Sequence, residues 1–177
     1  MTEMYMGGMP YSSDSHLTFE RTYRASVKDI WELWTTKSGI ESWWGPGGFA
    51  VTVHKLDLRP GGELLYVMTA IHPQQIEFMR KAGMPLTTEA RMVFTEIVPR
   101  KRLAYYHVAD FIPGVEPYDV AHVVELHPSP DGLVRMVVTI EKMHDDEWTR
   151  RAAAGWESEL AKLDALLASH PRLSKEQ

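Results

Sequence analysis

The segment Tyr105-Tyr106-His107-Val108-Ala109-Asp110-Phe111 gathers an imidazole, a carboxylate and two phenols in one short run. A histidine beside a carboxylate is common equipment for a general base. Extended backbone alternates its side chains, however. Tyr105, His107, Ala109 and Phe111 share one face of a strand, and Tyr106, Val108 and Asp110 share the other. His107 and Asp110 are therefore no dyad in a regular strand, and only a bulge would bring them into phase. A lone histidine in a sheet is ordinarily a hydrogen-bonded core or surface residue.

The remaining polar motifs do not build a reaction centre. His122 and His127 fall on opposite faces, and no HxH or HExxH spacing occurs, so no metal is expected. Asp145, Asp146 and Glu147 read as a charged helix start rather than a calcium loop. Gly45 to Gly48 and Gly61-Gly62 lack the strand-to-helix setting of a phosphate loop, so no nucleotide or other cofactor is expected. No serine sits in G-x-S-x-G. The chain has 0 cysteines, which removes disulfides, thiolate metal sites and cysteine nucleophiles together. Arg100-Lys101-Arg102 is a short solvated turn. No residue is assigned as catalytic on these grounds.

Aromatic surface is the stronger signal. Trp43 and Trp44 run straight into Gly45-Pro46-Gly47-Gly48-Phe49, where neither helix nor strand can continue. An indole there either plugs the corner between helix and sheet or lines the mouth of a cavity, and both readings stay open for each tryptophan. Trp148 and Trp156 lie two helical turns apart, and Gly155 beside Trp156 would let that helix approach a sheet closely. Tyr66, Met68, Phe78, His107, Phe111 and Tyr118 complete the candidate ligand-binding set with Trp43, Trp44, Phe49, Trp148 and Trp156.

These residues must be positioned by regular elements, and the pattern supplies them. Residues 16–25 alternate as a half-buried strand, with Leu17, Phe19, Arg21 and Tyr23 on one face. Ser26 caps a short helix over 26–35, and Ser38 is the expected cap of a second over 39–44. Strands follow over 49–58 and 63–71, around the turn Arg59-Pro60-Gly61-Gly62. Residues 72–86 read as an inserted short helix. Its Phe78, Met79 and Met84 suit equally a lid over a cavity or the interface of a homodimer. Four more strands are expected over 88–98, 103–111, 118–127 and 133–142, and one long amphipathic helix over 145–169. In residues 49–58 the apolar positions change parity between Val53 and Leu56, so the facing of that strand stays open.

The bulk numbers bound the rest. A chain of 177 residues with 44% hydrophobic and 24% charged content suits one globular domain. It is expected over 16–170, with a lead-in over 1–15 and a tail over 171–177. A net charge of −5 argues against general binding to nucleic acid. No apolar run approaches membrane-spanning length and the start does not resemble a signal peptide, so the expected location is cytoplasmic, without membrane insertion.

Antiparallel strands with one apolar face need a cover, and one long helix laid across a curved sheet provides it, an α+β arrangement. The motifs sharpen this. Trp43-Trp44-Gly45-Pro46 with Gly48-Phe49, then Asp57 with Arg59-Pro60-Gly61-Gly62, then Gly155-Trp156 with Leu160 and Leu163, fall in an order that resembles the heat shock protein 90 ATPase activator homologue family. That family lies within the START/SRPBCC (birch-pollen-allergen-like) superfamily, and the resemblance runs from about Leu17 to Leu167. It implies the helix-grip fold, a curved antiparallel sheet gripping the C-terminal helix around a cavity. It also implies binding of a hydrophobic small molecule, by a non-catalytic stress or regulatory protein. Two alternatives follow from the same resemblance. One is a cyclase, hydratase or hydrolase with His107 or Asp110 as base, and the other is a chaperone-related interaction module. The co-chaperone of the family carries a further N-terminal domain with an Asn/Trp-rich motif, which these residues do not show, so direct stimulation of a chaperone ATPase is not expected.

Overall fold

The structure is a computed structural model that describes residues 15–169. The expected lead-in, apart from Ser15, and the expected tail lie outside the described residues. The elements run β1 (His16–Tyr23), α1 (Val27–Thr35), α2 (Lys37–Trp43), β2 (Phe49–Leu56), β3 (Glu63–Ala70), α3 (Pro73–Lys81), β4 (Thr87–Val98), β5 (Arg102–Ala109), β6 (Tyr118–Pro128), β7 (Val134–Glu141) and α4 (Asp146–Ala168).

The strands form one seven-stranded antiparallel sheet in the order β1-β7-β6-β5-β4-β3-β2. Consecutive strands from β2 to β7 are neighbours, as hairpin connections dictate. Only β1 crosses over, to pair with β7 at the far edge. The two short helices occupy that crossover. α4 spans 23 residues, about 35 Å at 1.5 Å per residue. It buries Trp156, Leu160, Leu163 and Leu167 on the side facing the sheet. This is the helix-grip arrangement.

Local chemistry explains the boundaries. Ser26 caps α1 as its sequence position dictates, accepting from Asp29 N–H at 3.0 Å. α2 begins earlier than expected. Thr36, not Ser38, is its cap, and Thr36 Oγ1 accepts from Gly39 N–H at 3.0 Å. Asp145 caps α4 through Trp148 N–H at 2.8 Å, with Asp146 and Glu147 in the first turn. The parity change in β2 is a bulge. The register with β3 shifts between Val53 and Lys55, so one extra residue lets Val51 and Val53 face the core and Leu56 pack from the other phase.

Candidate ligand-binding cavity

The two tryptophans at the end of α2 stay in contact, ring centroids 5.8 Å apart, but serve different surroundings. Trp43 is fully buried and donates Nε1–H to Leu33 O at 2.9 Å. Its ring meets Trp34 edge-on, centroids 4.9 Å apart at 72°. It is the corner plug. Trp44 packs beside it, 5.8 Å from Trp43 and 6.0 Å from Trp34, and reaches on to Tyr66 at 5.6 Å and Tyr105 at 6.3 Å. Its Nε1 is buried and has no partner among the described residues. Gly45 and Gly48, at φ +87° and +90°, make the turn that follows feasible, because an L side chain is strained there.

α4 holds the turn in place. Lys162 Nζ donates to the carbonyls of Trp44, Gly45 and Phe49 at 3.0, 3.1 and 3.3 Å. Gly47 N–H donates to Ser158 Oγ at 2.7 Å. Together these bonds fix the position of Trp44 relative to the long helix.

Between α4 and the sheet lies a cavity of about 200 Å³. Two cross-strand rows form its floor. In one, Met92 of β4 lies opposite His107 of β5, which lies opposite Val120 of β6. In the next, Tyr105 lies opposite His122, which lies opposite Ile140 of β7. The roof is a stripe of α4, Ala152, Gly155, Trp156 and Glu159, spaced i, i+3, i+4 and i+7 on one helical face. Gly155 does not bring helix and sheet together, as its place in the sequence suggests. A Cβ added there would meet no atom within 4 Å, so the glycine opens space instead. Phe111, 47% exposed, lines the rim and lies 5.9 Å from Trp148, over which Arg151 stacks at 4.8 Å.

The polar groups of this wall are poorly matched by the chain itself. Trp44 Nε1, Tyr105 Oη and Glu159 Oε1 are all buried without a hydrogen-bond partner among the described residues. His122 Nδ1 lies 2.9 Å from Val120 O. A carbonyl can only accept, so Nδ1 carries the proton and Nε2 keeps its lone pair. Burial pushes His107 down to about 4 and, with the charge of His107 adding to it, His122 down to about 3. Both are neutral at neutral pH. Burial also pushes Glu159 up to about 7, against the opposing pull of the Gly45 backbone and the Lys162 ammonium. Tyr66 and Tyr105 are raised, first by burial and then by the nearby Glu159 carboxylate. An acid poised near neutrality between two phenols and two neutral imidazoles can give or take a proton, or bind a hydrogen-bonding group.

Of the residues singled out from sequence, Trp44, Tyr66, Met68, His107, Phe111 and Trp156 line the cavity. Trp43 lies behind it in the core, and Phe49 sits at the turn, outside the lining. Phe78, on α3, is 61% exposed, and no residue of α3 lines the cavity. Trp148 reaches the site only through Phe111. Tyr118 acts one step back. Its hydroxyl lies 2.8 Å from His144 Nδ1 and accepts from His144 N–H at 3.1 Å, holding the segment that carries the lining residue Met143. Asp110 is exposed and absent from the wall. Sequence reasoning passed over Tyr105, His122 and Glu159. All three had a signal: Tyr105 and His122 share the inward parity of their strands, and Glu159 follows Trp156 by one helical step of three.

Two surface grooves are wider, about 410 and 470 Å³, but hold one aromatic ring between them, Tyr23, against seven around the cavity when its two imidazoles are included. Among the described residues no group of three His, Cys, Asp or Glu side chains could hold a metal ion, and no helix is long and apolar enough to cross a membrane.

A family model described as activator of Hsp90 ATPase homolog 1-like protein matches residues 24–168. Among solved structures, the chain resembles a protein of Chromobacterium violaceum at 21% identity and a TM-score of 0.68, covering 87% of this chain and 97% of that one. It resembles a Mycobacterium smegmatis protein at 23% identity and a TM-score of 0.66, with coverage of 90% and 95%. For an AHSA1 protein of Silicibacter pomeroyi the figures are 20%, 0.69, 88% and 99%. At these identities the likeness shows the fold. No curated protein matches the chain.

Proposed function

This chain belongs to the family of activator of Hsp90 ATPase homolog 1-like proteins, and from that premise we propose that it binds a small hydrophobic molecule in the cavity between its sheet and α4. Residues 16–170 act as one cytoplasmic domain in this reading. Trp44, Tyr66, Met68, His107, Phe111 and Trp156 form the contact wall. One observation carries it: an aromatic cavity with three buried polar atoms that nothing among the described residues satisfies. Leaving such an atom unpaired costs about 1–3 kcal/mol, and a bound molecule would relieve it.

Size limits the ligand. An apolar cavity of roughly 150 Å³ takes up benzene. The ~200 Å³ here therefore suits a single ring or a chain of similar bulk, with its far end emerging past Phe111. Native mass spectrometry of protein purified from its own host tests this. An adduct lost on denaturation, and absent from a Gly155→Leu variant, is the expected result. A clean mass from host material, at concentrations where the fold is intact, would count against binding.

Glu159 favours a second reading, acid–base catalysis on the same ligand. Its position between Tyr66 and Tyr105 makes it, rather than His107 or Asp110, the group to test. Turnover lost in Glu159→Gln while the adduct persists would establish catalysis. Unchanged ligand after prolonged incubation would leave a binder. For self-association, the exposed apolar side chains Ile71, Phe78 and Met84 around α3 are the surface to probe, by sedimentation of a Phe78→Ser variant.

A further inference from the structure

The three unpartnered atoms belong to side chains that neighbour one another in the cavity wall. Trp44 and Tyr105 have rings 6.3 Å apart. The Glu159 carboxylate acts on the Tyr105 hydroxyl and meets the Gly45 backbone, next in the chain to Trp44. Away from them Met92, Val120, Ile140 and Ala152 make the wall mainly apolar, with the neutral His107 imidazole set between Met92 and Val120 and His122 beside Ile140. A ligand therefore meets one polar corner, with two neutral imidazoles among the apolar side chains beyond it.

The hydrogen-bonding roles in that corner are unequal. An indole N–H can only donate. The ligand must therefore offer Trp44 a lone pair. Glu159 Oε1 and His122 Nε2 can accept. The ligand must therefore also offer a hydrogen. Tyr105 Oη can do either. An ammonium has no lone pair for Trp44, and Glu159 already feels the Lys162 ammonium. A carboxylate has no hydrogen for His122 Nε2, and it fits beside Glu159 only while that acid, which titrates at about 7, keeps its proton. A hydrocarbon satisfies none of the three. A hydroxyl satisfies them together, because its oxygen accepts twice and donates once.

We infer that the cavity selects a neutral hydroxyl-bearing molecule of single-ring size, a phenol or comparable alcohol. Its oxygen accepts from Trp44 Nε1–H and Tyr105 Oη–H and donates to Glu159 Oε1. This rests on the binding function proposed above and names the chemistry of its ligand. It also explains why a helix stripe of small residues, Ala152 and Gly155, ends in a buried acid.

Four probes of nearly equal volume test the inference at pH 7: phenol, toluene, benzylammonium and benzoate, titrated into the full chain by calorimetry or by NMR. Phenol is expected to bind about tenfold or more tightly than each of the others, the effect of about one well-made hydrogen bond. Tyr105→Phe and Glu159→Leu are each expected to weaken phenol toward the level of toluene while leaving toluene within about twofold. Toluene binding shows that each variant is folded with its cavity open. Toluene as tight as phenol would overturn the inference and leave an apolar binder. Tightest binding of benzylammonium or of benzoate would overturn it in favour of a cation or an anion site. No binding of any probe up to its solubility would remove the binding function itself, and this inference with it.

Discussion

His122 lies flat on Tyr105, with ring centroids 4.8 Å apart and planes 12° from parallel. The two are cross-strand partners in the β5–β6 register, so the stack is built into the pairing of the sheet. Trp156 of α4 closes over the same imidazole at 5.6 Å. An imidazole held between a phenol and an indole loses its water, and neutrality follows. His107, one inward position further along β5, shares that fate.

The pH dependence of folding follows from these groups. His107 and His122 titrate ordinarily near 6.5 but at about 4 and about 3 in the fold, because burial disfavours the cation. Between those values the unfolded chain binds more protons, so stability rises with pH up to 6.5. Glu159 acts oppositely. Raised from 4.5 to about 7, it keeps a proton that the unfolded chain has lost, so its contribution falls as pH rises through that window. Between pH 4.5 and 6.5 two histidines outweigh one glutamate, so stability rises with pH by roughly one net proton. From these three groups stability should peak near pH 6.5 and decline slightly to pH 7. Urea midpoints across pH 4.5 to 8 check this, and Glu159→Gln should steepen the acid limb and remove the decline above its top. A profile that keeps improving toward acid would refute the buried neutral pair.

Gly155 is expected to be a stability sacrifice in favour of volume. A glycine inside a helix is about 0.8–1 kcal/mol worse than alanine, and here an added methyl meets empty space. Gly155→Ala should raise the melting temperature by about 2–4 °C, and thermal unfolding measures it. Gly155→Leu should fold and lose the ligand. A Gly155→Ala variant less stable than the parent would show that the space is not there.

Trp43 and Trp44 are adjacent in sequence and should behave as unlike residues. Trp43→Ala empties a fully enclosed site and breaks its bond to Leu33 O, a loss of about 3–5 kcal/mol. Trp44→Phe removes apolar area but also a buried unpaired N–H, whose burden is about 1–3 kcal/mol, so the two effects offset within about 1 kcal/mol. Guanidinium unfolding of both variants decides the matter. Equal losses would mean that Trp44 too is a plug.

Elements were legible in this sequence wherever a local rule fixes them. Alternation in β1, the Ser26 cap and the apolar stripe of α4 depend on neighbours a few residues apart, and each appears where its pattern places it. The parity change in residues 49–58 was also visible, although only the pairing with β3 shows it to be a bulge. The site was half legible. Tyr105, His122 and Trp156 come from three separate elements, and their stack depends on strand register and helix placement, which no local pattern encodes. Glu159 was missed because a carboxylate on an amphipathic helix is assigned to the solvent face by type. Its spacing from Trp156 assigns it to the sheet, and here spacing prevails over type.

Lys162 joins the turn to the cavity, and its removal should be felt in both. Its ammonium serves three carbonyls of the Trp44–Phe49 turn, and among the described residues no other side chain donates to them. Lys162→Met keeps the apolar stem but removes those donors, a loss of about 2–3 kcal/mol. The same charge helps hold Glu159 down to about 7, so the variant should titrate higher. Carboxyl carbon NMR of Glu159 reads this directly, and the displacement should persist in moderate salt because the pair is partly buried. If stability falls but the Glu159 midpoint does not move, Lys162 is only a clamp on the turn. If both change, the segment that positions Trp44 also sets the protonation of the acid beside it. Any pH dependence of ligand affinity that Glu159 confers should then move to higher pH in the variant.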